Sequence, residues 1–71
     1  MEELFGPDFW AYVSAAEKNG QRKGQAVYNA AAVFHPVEAW ELNSTHVDPF
    51  YNDDNIGPFL EWLAEKCTKK N

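Results

Sequence analysis

The sequence predicts an all-α fold, a bundle of three to four short helices over residues of about 7–19, 22–35, 36–43 and 54–68. Three observations carry this. Apolar residues recur at helical spacing in each segment that Gly, Pro and Asn mark off. No segment alternates apolar and polar residues as a half-buried strand does. The chain has 71 residues, which makes one domain, residues 1–71, near the lower limit of independent folding.

Pro7 suits a first helical turn, where its missing N–H would be unpaired anyway, with Gly6 as N-cap. Phe9, Trp10, Val13 and Ala16 follow at helical spacing, and Asn19-Gly20 stops the helix. The second helix carries Ala26, Val27, Ala30, Ala31, Val33 and Phe34 on one face. Alanine has the best helix propensity and lets a neighbouring helix approach closely, so this is the expected central helix. His35-Pro36 ends it, because the residue before proline avoids the α region. Pro36 opens a short third helix with Val37, Trp40 and Leu42 expected inward and Glu38 and Glu41 outward. Asn43-Ser44-Thr45 breaks it. After a loop, Asp53 or Asp54 is expected to cap the last helix, whose stripe is Ile56, Phe59, Leu60, Leu63 and Cys67. Pro58 falls within its first turn or two, or starts it after Gly57.

A core this small supplies only about 3–5 kcal/mol unless something adds to it. The single cysteine, Cys67, cannot close an internal disulfide, which fits a reducing compartment. Aromatic packing is the remaining internal resource: the chain has three tryptophans, three tyrosines and five phenylalanines. This exceeds what a minimal core encloses, so some aromatics are expected at the surface. Trp62 is the first candidate, because Glu61 and Glu65 flank it. No apolar run is long enough for a membrane span and no secretory start is evident, so a cytoplasmic protein is expected.

The charge is segregated. Gly24 to Glu65 holds seven carboxylates and no Lys or Arg. The bases lie outside, at Lys18, Arg22 and Lys23 and at Lys66, Lys69 and Lys70. The expected result is an acidic surface that does not neutralise itself. The net charge of −5 argues against direct nucleic-acid binding, and three bases near one another are too few for it.

The run Arg22-x-Gly24-Gln25-Ala26-x-Tyr28-Asn29-Ala30 is followed by Pro36-x-x-Ala39, then Thr45-x-x-Asp48-Pro49-Phe50-Tyr51-x-Asp53, then Phe59-Leu60-x-Trp62-Leu63. Over about residues 22 to 63 it resembles a pattern in small, uncharacterised stand-alone proteins of bacteria and their phages. The resemblance implies a compact helical unit of bacterial or phage origin, placed in a bacterial host cell. It transfers no catalytic residue.

Asp48-Pro49-Phe50-Tyr51-Asn52-Asp53-Asp54 has two readings. It is a tight turn, with Asp48 forming an Asx turn with Pro49, Phe50 plugging the core and Asp53 or Asp54 capping. Alternatively it is an acidic aromatic lip for a basic partner. A calcium loop lacks its alternating oxygen ligands and closing Glu. His35, His46 and Cys67 match no common zinc spacing, and no metal or cofactor is expected. Asn29, in the Ala-rich helix, reads as a buried amide bonded to carbonyls of residues 48–51.

No two groups suggest an acid–base pair, so the expected function is binding and not catalysis. Once turn and cap residues are set aside, Glu38, Trp40, Glu41, Glu61, Trp62 and Glu65 remain as the candidate face toward a host protein with a basic surface. Such a face could imitate nucleic acid and inhibit a nucleic-acid-handling or defence protein. The alternatives are a homo-oligomeric accessory protein, such as a homodimer burying the surplus aromatics, and a regulator touching DNA through residues 18–23.

Overall fold

The computed structural model describes residues 2–68, and the side chains of residues 5–66. Helix α1 (Glu2–Lys18) leads through a polar turn into α2 (Lys23–Phe34), α3 (Pro36–Leu42) and, after a loop and a 3₁₀ turn at Asp53–Asn55, α4 (Ile56–Thr68). There is no strand among the described residues. The fold is the expected all-α bundle.

Its punctuation is largely local. In α1 a short helical piece precedes the expected start. The helical geometry breaks at Gly6, whose φ of 77° suits glycine, and Pro7 follows directly. The end is a Schellman arrangement with Gly20 at φ 96°. Gly20 N–H donates to the Glu17 carbonyl at 3.0 Å and Gln21 N–H to that of Ala16 at 3.2 Å. His35 closes α2, donating its N–H to the Ala31 carbonyl at 2.7 Å, and its own carbonyl accepts from Ala39 N–H at 2.9 Å. One residue therefore serves as the end of α2 and the start of α3, and the two helices meet with no loop between them.

Helix α2 is central. It packs against α1, α3 and the 3₁₀ turn, and α3 packs against α4. Ala26, Ala30 and Ala31 are completely buried, so the small face permits close approach on more than one side. Phe9, Val13 and Ala16 of α1 and Phe59, Leu60 and Leu63 of α4 complete the core. The Cys67 side chain lies outside the described residues.

Two inward assignments fail. Val33 and Phe34 at the end of α2 are 55% and 42% exposed. The Phe34 ring only leans on α1, 6.2 Å from Phe9 and 6.3 Å from Tyr12. On α3 the expected face holds at Leu42, which is buried, and Glu41, which is exposed, and fails elsewhere. Val37 and Trp40 are exposed at 57% and 74%, whereas Ala39, Leu42 and Glu38 are buried. Ala39, the smallest side chain, faces α2, where its carbonyl accepts from Tyr28 Oη at 3.3 Å. With that contact made, the 100° step per residue carries Val37 and Trp40 to the far side.

Candidate functional site

The segment Asp48–Asp53 is built onto the start of α2. Asp48 makes the expected Asx turn, its Oδ1 accepting from Phe50 N–H at 2.9 Å. Its Oδ2 accepts from Ser44 N–H at 2.6 Å, and Ser44 sits at φ 63°. Pro49 is fully buried. The Arg22 guanidinium donates to the Phe50 carbonyl. The Phe50 ring stands edge-on to Tyr28 at 6.0 Å, packed against the core as expected.

The capping assignment changes. Asn52, not Asp53 or Asp54, caps the 3₁₀ turn, its Oδ1 accepting from Asp54 N–H at 3.0 Å. Asp53 Oδ1 instead accepts from Gly24 N–H at 3.0 Å. Helix α2 has no side-chain cap of its own at Arg22, so a carboxylate 29 positions away satisfies one of its first-turn donors. Arg22 Nε lies 3.8 Å from the same oxygen, a half-exposed pair that by itself adds little.

Replacing Asp53 with alanine is therefore expected to cost about 1 kcal/mol, the usual effect of losing a cap. Asp54→Ala should stay within about 0.5 kcal/mol. Paired thermal melts measure both, and equal losses would reject the remote cap.

The buried-amide role expected of Asn29 belongs to other residues. Asn29 Nδ2 donates to Gln21 Oε1 at 3.1 Å, within the polar connector. The loop carbonyl of Asp48 is held by Asn55 Nδ2 at 3.0 Å. Tyr28, 8% exposed, joins α2 to α3 by accepting from Asn43 Nδ2 at 2.9 Å while donating to Ala39. Gly24, Tyr28, Asn43 and Asn55 were missed as structural positions, although Gly24 and Tyr28 belong to the quoted pattern.

The candidate partner face is reduced. Glu38 is only 7% exposed and leaves it. Glu41, Trp62 and Glu65 do converge. With Leu42, Thr45 and Lys66 they line an open cleft of about 300 Å³ between α3 and α4. Trp62 is 42% exposed, and its ring meets His46 edge-on at 5.1 Å. Glu61 is exposed next to Trp62 on α4, and Trp40 is exposed beside Glu41 on α3.

The face is also less purely acidic than the segregation of charge along the chain implies. Lys66 Nζ reaches back across the cleft to Glu41 Oε1 at 3.1 Å. Among the described residues, Arg22 reaches Asp53 and Lys66 reaches Glu41, so both basic clusters send a cation back to the acidic segment. Among the described residues no group of three or more His, Cys, Asp and Glu is placed to hold a metal ion, and no helix is long and apolar enough to cross a membrane.

No protein-family profile, curated protein or solved structure matches the chain.

Proposed function

We propose that this protein is a small acidic binding module of phage or prophage type. It acts in the cytoplasm of a bacterial host cell, where it docks on the basic surface of a nucleic-acid-handling or defence protein and inhibits or modulates it. The observation that carries this reading is the convergence of Glu41, Trp62 and Glu65 on one open cleft, with Glu61 exposed on the same helix as Trp62 and Trp40 exposed elsewhere on α3. Carboxylates around a rigid aromatic suit a basic partner: the charges speed encounter and the ring supplies a desolvated anchor. Arg22 is engaged with Phe50 and Asp53, which weakens the reading as a DNA-contacting regulator.

Immobilised protein should retain a bacterial protein at low salt and release it near about 1 M, where the screening length shrinks to about 3 Å. A variant carrying Glu41→Gln, Glu61→Gln and Glu65→Gln should keep its helical content and lose that capture. Equal capture by the variant would overturn the proposal.

A second reading rests on Val37 and Trp40, which are exposed on the same side of α3. That stripe suits a homo-oligomer, in which the acidic residues only keep the assembly soluble. Sedimentation at micromolar concentration separates the two, since a monomer rejects the oligomer.

A further inference from the structure

We propose that a second pocket, on the other side of the residue 42–45 turn from the α3–α4 cleft, receives a single cationic side chain, the ammonium or guanidinium of a lysine or arginine. It has a volume of about 260 Å³ and is lined by Tyr28, Asn43, Ser44, Asp48, Phe50 and Tyr51. This is slightly below the range of about 300–1,000 Å³ typical of drug-sized ligands, and suits one long side chain.

The chemistry of the lining selects for positive charge. It holds three aromatic rings, one carboxylate and no basic group. The rings are set at steep angles to one another. Tyr51 lies 4.8 Å from Phe50 at 67°, and Phe50 lies 6.0 Å from Tyr28 at 83°. Three rings lining one cavity put aromatic π-systems within reach of a cation there. Tyr51 is 84% exposed, more than any other large apolar side chain described, and the core gains nothing from it.

Asp48 supplies the countercharge in a fixed position. Each of its oxygens already accepts one backbone N–H, from Phe50 and from Ser44, and a carboxylate has about four acceptor sites in all. The group is thus oriented before a ligand arrives, which lowers the ordering cost of binding. Leu42 and Thr45 line the α3–α4 cleft while Asn43 and Ser44 line this pocket, so one partner can reach both across a single turn. That the cation belongs to the host protein rests on the proposed function. The pocket's preference for a cation does not.

The test uses the whole protein and small probes. N-acetyl-arginine amide and N-acetyl-lysine amide are titrated against the neutral N-acetyl-citrulline and N-acetyl-norleucine amides, with backbone amide shifts followed by NMR. The cationic probes should move amides within residues 43–51, and the neutral ones should not. Tyr51→Ala should weaken binding of the cationic probes by about two- to fivefold, the usual worth of an exposed cation–π contact. Tyr51→Phe should retain most of it. Asp48→Asn keeps the acceptor for Phe50 N–H and loses the one for Ser44 N–H, so it should weaken the response at some cost in stability, with a melting curve showing that it is still folded at the temperature of the titration. Equal shifts from charged and neutral probes, or no shifts, would overturn the inference. Shifts centred on Glu41, Trp62 and Glu65 would overturn it too, while supporting the α3–α4 face. Failure to capture any host protein would remove the proposed function without touching this result.

Discussion

Gly24→Ala is expected to lower the melting temperature by about 8–24 °C, from a destabilisation of about 2–3 kcal/mol at roughly 4–8 °C per kcal/mol for a domain of this size. Gly24 is an ordinary helical residue, so the effect does not come from backbone conformation. A Cβ built there is driven into the Pro49 carbonyl oxygen and lies 2.6 Å from Asp53 Oδ1. The Pro49 carbonyl is backbone, and Pro49 is fully buried, so the loop cannot give way cheaply. Any outward shift stretches the Asp53 hydrogen bond to Gly24 and the Arg22 contact with Phe50. Alanine is normally the better helix former by about 1 kcal/mol, so a gain in stability would show that the loop is not seated on α2 as described.

Phe59→Ala is expected to abolish cooperative melting at room temperature. Phe59 is completely buried, its ring 5.8 Å from Tyr28, and it anchors α4 to the centre of the bundle. Truncating such a ring costs about 3–5 kcal/mol, and a core this small supplies only about 3–5 kcal/mol in total. Circular dichroism against denaturant measures the loss. A folded variant with a normal midpoint would mean that α4 is held chiefly by other contacts. The two substitutions probe different things: Phe59 tests the apolar core, and Gly24 tests the polar seam between loop and helix.

That seam gives physical meaning to the spaced pattern in the sequence. Arg22 and Gly24 lie beside Pro49, Phe50 and Asp53, while Tyr28 touches Ala39, Phe50 and Phe59. Residues that look like separate motifs are the two sides of one contact. The acidic, aromatic segment at residues 48–54 divides accordingly. Pro49 and Asp53 hold the fold, Asp48 and Phe50 both hold it and line a pocket, and Tyr51 is exposed.

What could be read from the chain was what neighbouring residues decide. Gly20 ends α1, His35-Pro36 ends α2, and Asp48 turns back on Phe50 through groups no more than five positions apart. The central place of α2 was also legible, because its run of alanines allows close approach on several sides. The candidate face was legible in part. Trp62, Glu61 and Glu65 sit on a helix of 13 residues, long enough for its apolar stripe to set its orientation.

Helix α3 was not legible in this way. Seven residues make two turns, and Val37, Ala39, Trp40 and Leu42 fit more than one inward face. Only docking against α2 at Ala39 chose the face, burying Glu38 and exposing Trp40. The destination of Asp53 was likewise open, since a carboxylate after a loop can cap its own helix or another's. The sequence by itself determined where α1 and α2 end, because those interactions close within five positions of the chain. Tertiary structure decided which charges meet and how α3 is turned, because those contacts join residues 11 to 31 positions apart whose separation no local pattern encodes.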